Sequence, residues 1–304
     1  MNAIDKFKEV SSFLRFKNIE DAVREAEMLI TETLRVNRSR FYTDTLEISG
    51  ETANSIDAFA VRRSQGEPLQ YVIGHVDFYG MKIKVGPGVL IPRPETELLV
   101  EEVLKTVSSK QSAVSGQNKN SELRTPMGRR PNSELTSSLC ILDLCTGSGC
   151  LALALAKHIP NSDVYAVDIS EKALEYAREN AGINGISNIV FLNGSLFEPV
   201  KDMKFDVIVS NPPYIKRADI ETLQPEIRDW EPFEALDGGE DGLDFYREII
   251  SSARLYLNDT GLVILEAGAG ESGDIVRIAA ESGLRCESVI EDYAGIERII
   301  CLTI

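Results

Sequence analysis

LCILDLCTGSGCLALALAKH, residues 139 to 158, decides the fold. Leu139 to Leu144 is a short apolar run, as expected of a strand buried on both faces, and Leu151 to His158 carries helix periodicity. Between them stands a loop with Gly147 and Gly149. Glycine lets a backbone approach a ligand closely, and the helix N-terminus behind the loop favours a negatively charged group. Working outward, Asp163 to Val167, Ile189 to Leu192, Phe205 to Ser210 and Gly261 to Glu266 repeat the apolar run, with helix-like segments such as Glu171 to Asn180 between them. The alternation predicts an α/β fold, an open doubly wound Rossmann-like sheet with its ligand at the carboxyl ends of the strands. Arg285 to Glu291 and Ile296 to Leu302, separated by a short turn, predict an antiparallel hairpin at the sheet edge.

Two of the remaining strand ends carry chemistry. Asp168 closes the second run, where an ionised carboxylate can accept from both hydroxyls of a ribose; the plainer reading is a turn or N-cap residue before a helix at Ser170. Gly147-x-Gly149-x-x-Ala152 also fits a nicotinamide dinucleotide site. Phe205 to Ser210 runs into Asn211-Pro212-Pro213-Tyr214. Two prolines fix φ and hold the residue before each in an extended conformation, which makes the loop a rigid array of carbonyl acceptors. Asn211 adds a side-chain oxygen and Tyr214 an aromatic face. Nothing in the tetrapeptide titrates near neutral pH, so it suits a reaction driven by positioning. A strand followed by a proline-rich turn is the plainer alternative.

Residues 1–66 form a small helical N-terminal domain on this reading, with Ile4, Phe7, Val10 and Leu14, then Ile19, Ala22, Val23, Ala26, Leu29, Ile30 and Leu34, at helix spacing. A second amphipathic piece spans Ser55 to Arg63. Alternation around Gly74, Gly80 and Gly86 predicts a β-hairpin connector over 67–92, and a helix is expected over Leu98 to Val107 within a main domain of 93–304. Residues 108–138 are poor in large apolar side chains and read as a flexible insertion.

The 304 residues suffice for two cores. No apolar run reaches a membrane span and the N-terminus lacks a signal-like core, so a cytoplasmic protein without membrane contact is expected. Five cysteines without a C-x-x-C pair, and only His75 and His158 as histidines, suggest neither a disulfide framework nor a metal. A net charge of −16 argues against direct nucleic-acid binding and for a protein or small-molecule partner.

Asp143 to Gly149, Asp168 and Asn211 to Tyr214, in that order, resemble a class I S-adenosylmethionine methyltransferase of the amino-methylating kind. Gln70 to Gly74, Phe78-Tyr79-Gly80 and Val89-Leu90-Ile91-Pro92-Arg93-Pro94-Glu95-Thr96-Glu97, after a helical N-terminal domain, narrow the resemblance to the HemK/PrmC family of peptide chain release factor glutamine N(5)-methyltransferases. The resemblance implies S-adenosylmethionine as cofactor and S-adenosylhomocysteine as product. It places Cys145, Thr146, Gly147, Ser148 and Gly149 around the methionine end, Asp168 on the ribose and Leu196 beside the adenine, with Asn211 also reaching the cofactor. Asn211, Pro212, Pro213 and Tyr214 would hold the substrate glutamine, with Asn211, Pro212 and Tyr214 carrying the catalysis. Class-one release factors are the implied partners of a monomeric enzyme; a ribosomal-protein glutamine or an adenine base is the alternative acceptor. The chain departs from the family where Cys145 replaces a usual glycine and where Glu266-Ala267-Gly268 with Glu271 replaces Glu-Ile-Gly-x-x-Gln.

Overall fold

The computed structural model describes residues 1–117 and 138–304. They fall into two compact units that do not follow sequence order: residues 1–76, 84–91 and 221–232 form the first, and 77–83, 92–220 and 233–304 the second.

The first unit is helical. α1 (Ala3–Phe16), α2 (Ala22–Leu34), α3 (Arg38–Thr43) and α4 (Gly50–Ser64) enclose Val10, Leu14, Leu29, Ile30, Phe41 and Ile56, all fully buried. Each such side chain contributes roughly 1.5 to 3 kcal/mol relative to exposure. Asn2, Asn37 and Ser49 cap α1, α3 and α4 by accepting from backbone amides two or three residues on. Lys6 and Arg63 are buried yet paired. Lys6 donates to Asp57 at 2.7 Å, and Arg63 donates to both Glu25 and Glu226, so neither charge stands alone in the core.

The expected connector over 67–92 is only partly a hairpin. α5 (Leu69–Ile73) comes first, begun by Pro68 and ended by Gly74 at φ 89°. Leu69, Tyr71 and Val72 are buried there, and burial outweighs the strand propensity of their branched and aromatic side chains. The hairpin proper is β1 (His75–Phe78) and β2 (Met81–Lys84), turned by Tyr79 at φ 46° and Gly80 at φ 68°. Positive φ at both central residues matches the twist of paired strands.

The second unit is the sheet. In chain order it has α6 (Thr96–Gln117), β3 (Leu139–Leu144), α7 (Cys150–His158), β4 (Ser162–Asp168), α8 (Glu171–Asn184), β5 (Ile189–Asn193), β6 (Phe205–Ser210) and α9 (Arg217–Ile220). The next helix, α10 (Pro225–Arg228), belongs to the helical unit. α11 (Asp244–Tyr256), β7 (Leu257–Glu266), α12 (Ser272–Glu281), β8 (Arg285–Glu291) and β9 (Glu297–Thr303) complete the sheet unit. α6 runs past the expected end at Val107 to Gln117; the rest of the expected insertion, 118–137, lies outside the described residues.

The sheet order is β5-β4-β3-β6-β7-β9-β8. β3 to β7 are mutually parallel, whereas β9 runs antiparallel to both β7 and β8, so the C-terminal hairpin has β8 as its outer strand. The chain winds one way from β3 to β5 and the other way from β6. The switch point therefore lies between β3 and β6, where a doubly wound sheet opens a crevice at its carboxyl edge. No helix among the described residues is long and apolar enough to cross a membrane.

Candidate active site

The carboxyl ends of β3, β4, β6 and β7 bring together the glycine loop, Asp168, the Asn211 loop and Glu266. Three residues of the glycine loop have left-handed backbone: Cys145 at φ 59°, Gly147 at 55° and Gly149 at 79°. The conformation explains why glycine suits position 145. A non-glycine residue is strained there by roughly 1 to 2 kcal/mol. Burial pushes the Cys145 thiol far up, so it is a packed side chain and not a nucleophile.

The two glycines do different work. A Cβ on Gly147 would meet nothing within 4 Å, so this residue borders open space; a Cβ on Gly149 would stand 2.9 Å from Ala177 Cβ. Gly149 thus permits α7 to pack on α8, where the sequence suggested ligand approach for both. Ser148 faces inward too, its carbonyl accepting from the buried Asn180 side chain at 3.0 Å.

Two carboxylates hold the loop. Asp168 Oδ2 accepts from the Gly147 amide at 2.7 Å and Oδ1 from the Ser170 amide at 2.9 Å. Burial raises its pKa despite both bonds. Each oxygen keeps a lone pair, so the turn role and a ribose role are compatible. Asp143, 1 % exposed, accepts from Thr146 Oγ1 at 2.6 Å and from the Ala152 amide at 3.2 Å, all through Oδ2. Its Oδ1 has no partner among the described residues, and burial pushes the group up to about 7. Leu196, at φ 42° and 5 % exposed, is packed in the core with Leu144 and Val167.

The acceptor loop is clamped at its base. Ser210 Oγ donates to the Leu144 carbonyl at 2.7 Å, tying the end of β6 to the end of β3. Pro212 and Pro213 are buried, and Asn211 Nδ2 donates to Thr96 Oγ1 at 3.1 Å. Thr96 is buried at the first position of α6. Glu266 is 1 % exposed, its Oε2 has no partner among the described residues, and burial pushes it up to about 7. Tyr214, mostly buried, is pushed up to about 12 by burial and then by Glu266. It is a neutral phenol at any physiological pH.

The sequence reading missed three supports of this loop. Thr96 stands between Glu95 and Glu97 at the start of α6, and only tertiary structure brings it against Asn211. Tyr246, fully buried, donates to the Glu266 carbonyl at 2.8 Å. The run Gly238-Gly239-Glu240-Asp241-Gly242 lines the back of Tyr214: a Cβ on Gly238 would stand 2.7 Å from Tyr214 Cα, and one on Gly242 2.6 Å from the Tyr214 carbonyl. Its three glycines in five residues were the available signal.

Residues 132–226 match the methyltransferase small domain, and residues 5–74 match the PrmC N-terminal domain. The release factor glutamine methyltransferase of Thermodesulfovibrio yellowstonii is 45% identical over 99% of this chain and 98% of its own length. That of Geobacter sulfurreducens is 38% identical over 95% of this chain and 92% of its own, and that of Fusobacterium nucleatum 35% over 98% and 77%. Identity at this level along nearly the whole chain, with strands, glycine loop and acceptor loop in place, means that the chain belongs to the release factor glutamine methyltransferase family.

Proposed function

We propose that this protein methylates the side-chain amide nitrogen of the glutamine in the Gly-Gly-Gln loop of class-one peptide chain release factors, using S-adenosylmethionine. The observation that carries the reading is the pairing, across the switch point, of an acceptor loop with a glycine loop whose free space borders Gly147.

The residues fit the cofactor. Gly147 leaves room beside the backbone, Asp168 retains acceptor capacity for ribose hydroxyls, and the orphaned Oδ1 of buried Asp143 suits a cationic amino group. Cys145, Thr146 and Ser148 shape the loop, while Gly149 and Leu196 act through packing behind it. When bound, the cofactor would supply an electrophilic sulfonium methyl for the amide nitrogen, leave as the neutral thioether, and the surplus amide proton would pass to water.

The chain supplies geometry. A carboxamide nitrogen is a poor nucleophile because its lone pair is delocalised. The Asn211 side-chain oxygen and the Pro212 carbonyl each accept one amide hydrogen of the substrate, orient the nitrogen and stabilise the positive charge it gains. Tyr214 offers its ring face to that charge. A glutamate in place of the glutamine has no hydrogens to donate and would set oxygens against oxygens. The helical unit, with exposed Phe16, Val23 and Tyr42, provides remote contacts that hold an intact factor.

Mass spectrometry of a release factor incubated with enzyme and labelled cofactor tests the reading. One methyl on the Gly-Gly-Gln glutamine is expected, with poor transfer to an isolated peptide and none to the Gln→Glu factor. Methylation of adenine or of a ribosomal protein, with none on the factor, would overturn it.

A further inference from the structure

The carboxyl group of Glu271 fills a slot that two glycines leave open. A Cβ on Gly242 would stand 2.6 Å from Glu271 Oε1, and one on Gly268 would stand 2.6 Å from Glu271 Oε2. The same Cβ on Gly268 would stand 3.0 Å from Tyr214 Cδ2, so the carboxyl group and the ring edge of Tyr214 flank one point that only a glycine leaves empty. Gly242 precedes α11 and Gly268 follows β7, so two separate stretches of chain give way to one acid. Oε2 of that acid is buried and has no hydrogen-bond partner among the described residues. A buried acceptor without a donor is costly and calls for an explanation. The Tyr214 ring supplies one: an aromatic ring is positive at its edge and negative on its face, so an anion is attracted to the edge.

We infer that Glu271 is a positioning residue of the site: its carboxylate, set against the edge of Tyr214, holds the ring and makes the ring face more attractive to the positive charge that develops during methyl transfer. The catalytic half of this inference rests on the methyl-transfer reading; the contact does not. Glu271 acts through Tyr214. Lys216, whose Cγ lies 3.5 Å from the same missing Cβ of Gly242, is the cation on this side. Asp241 and Asp274 also face the acid but are held by Arg247 and Arg277, and Tyr246 on α11 faces it as a neutral phenol. Glu266, at the end of β7, faces Tyr214 as well. Burial pushes Glu271 up to about 7, so its carboxylate forms, and the contact strengthens, as pH rises through neutrality. The family pattern has glutamine at this position, so the charge and its pH dependence belong to this chain.

Two measurements on the full-length enzyme test it. The first is nuclear magnetic resonance of the cofactor-free protein with isotope-labelled tyrosine rings, Tyr214 being assigned through Tyr214→Phe. Its δ signals are expected to titrate between about pH 6 and pH 8 in the wild type and to stay still in Glu271→Gln, which keeps the shape and loses the charge. A wild-type signal that does not titrate overturns the inference, as does a titration that survives Glu271→Gln, which would assign it to Glu266. The second is turnover on an intact release factor. At pH 8, kcat of Glu271→Gln should lie about fivefold below wild type, the scale of one cation–π contribution, and the gap should close toward pH 6. Cofactor affinity should stay within about twofold. A gap that is constant with pH would mark a packing role and overturns the electrostatic one, and so does a gap that widens toward pH 6, which would make the protonated acid the active form. A wild type that methylates no release factor would refute the substrate reading alone, because the tyrosine titration would still decide the contact.

Discussion

The glycine loop after β3 and the Asn211 loop after β6 end neighbouring parallel strands, yet they are rigid for opposite reasons. The first gains its shape from left-handed backbone at 145, 147 and 149, and carboxylates at Asp143 and Asp168 hold it by accepting from its amides and hydroxyl. In the second, prolines restrict the backbone and a neighbouring hydroxyl holds the one flexible side chain, Asn211. One loop is built from donors tied down by acids, the other from acceptors freed by prolines. The contrast separates two kinds of damage: changes in the first should act on fold and cofactor affinity, and changes in the second on turnover.

Asn211→Ala is the sharpest test of that separation. It should reduce kcat by at least ~100-fold, the scale of one lost preorganised contact, while isothermal titration shows cofactor affinity within about twofold of wild type. Equal losses in both would erase the distinction. Gly149→Ala should do the reverse, destabilising the fold by about 2 to 4 kcal/mol in urea titrations, because the new Cβ meets Ala177 at 2.9 Å and the residue sits at φ 79°. Asp168→Ala should weaken cofactor binding by ~1 to 3 kcal/mol in calorimetry, as charge-assisted bonds to the ribose and the tether on Gly147 are lost together.

Acidity probes both loops at once. Burial pushes Asp143, Glu266 and Glu271 up to about 7, from ordinary values of 3.8 and 4.5. Between those values and 7 the folded chain holds protons that the unfolded chain has released, so stability is greatest on the acid side and falls as pH rises through that window. The cofactor-free enzyme should therefore melt a few degrees higher at pH 6 than at pH 7.5, and Asp143→Asn should shrink the difference. The smallest effect belongs to Cys145→Gly. Relief of left-handed strain and loss of a buried thiol nearly cancel, and the unfolding free energy should change by less than about 1 kcal/mol.

The sheet was largely legible because its parallel strands must be apolar along their length: β3 and β6 begin and end at the residues the apolar runs mark. Around the site, local motifs such as the glycine loop and the proline pair were equally visible. What escaped was tertiary. Leu69 to Ile73 has strand-like residues but folds as a helix where burial rewards it, and nothing near Gly149 in sequence announces the Ala177 contact that also requires a glycine there. Thr96 and Tyr246 carry no local signature, since their partners are 115 and 20 residues away.

Residues 221–232 leave the sheet unit a few positions after Tyr214 and belong to the helical one, where Glu226 accepts from Arg63 and Glu231 from the Ile91 amide at 3.2 Å. The helical unit is thus not a cassette that ends where its sequence ends. An enzyme cut at residue 92 would keep this segment and lose the partners of its acids, and a chimera that exchanged only the N-terminal residues with a relative would graft foreign arginines onto native glutamates. The helical unit has to be inherited as three pieces of chain, and one of them lies in the middle of the sheet unit's sequence.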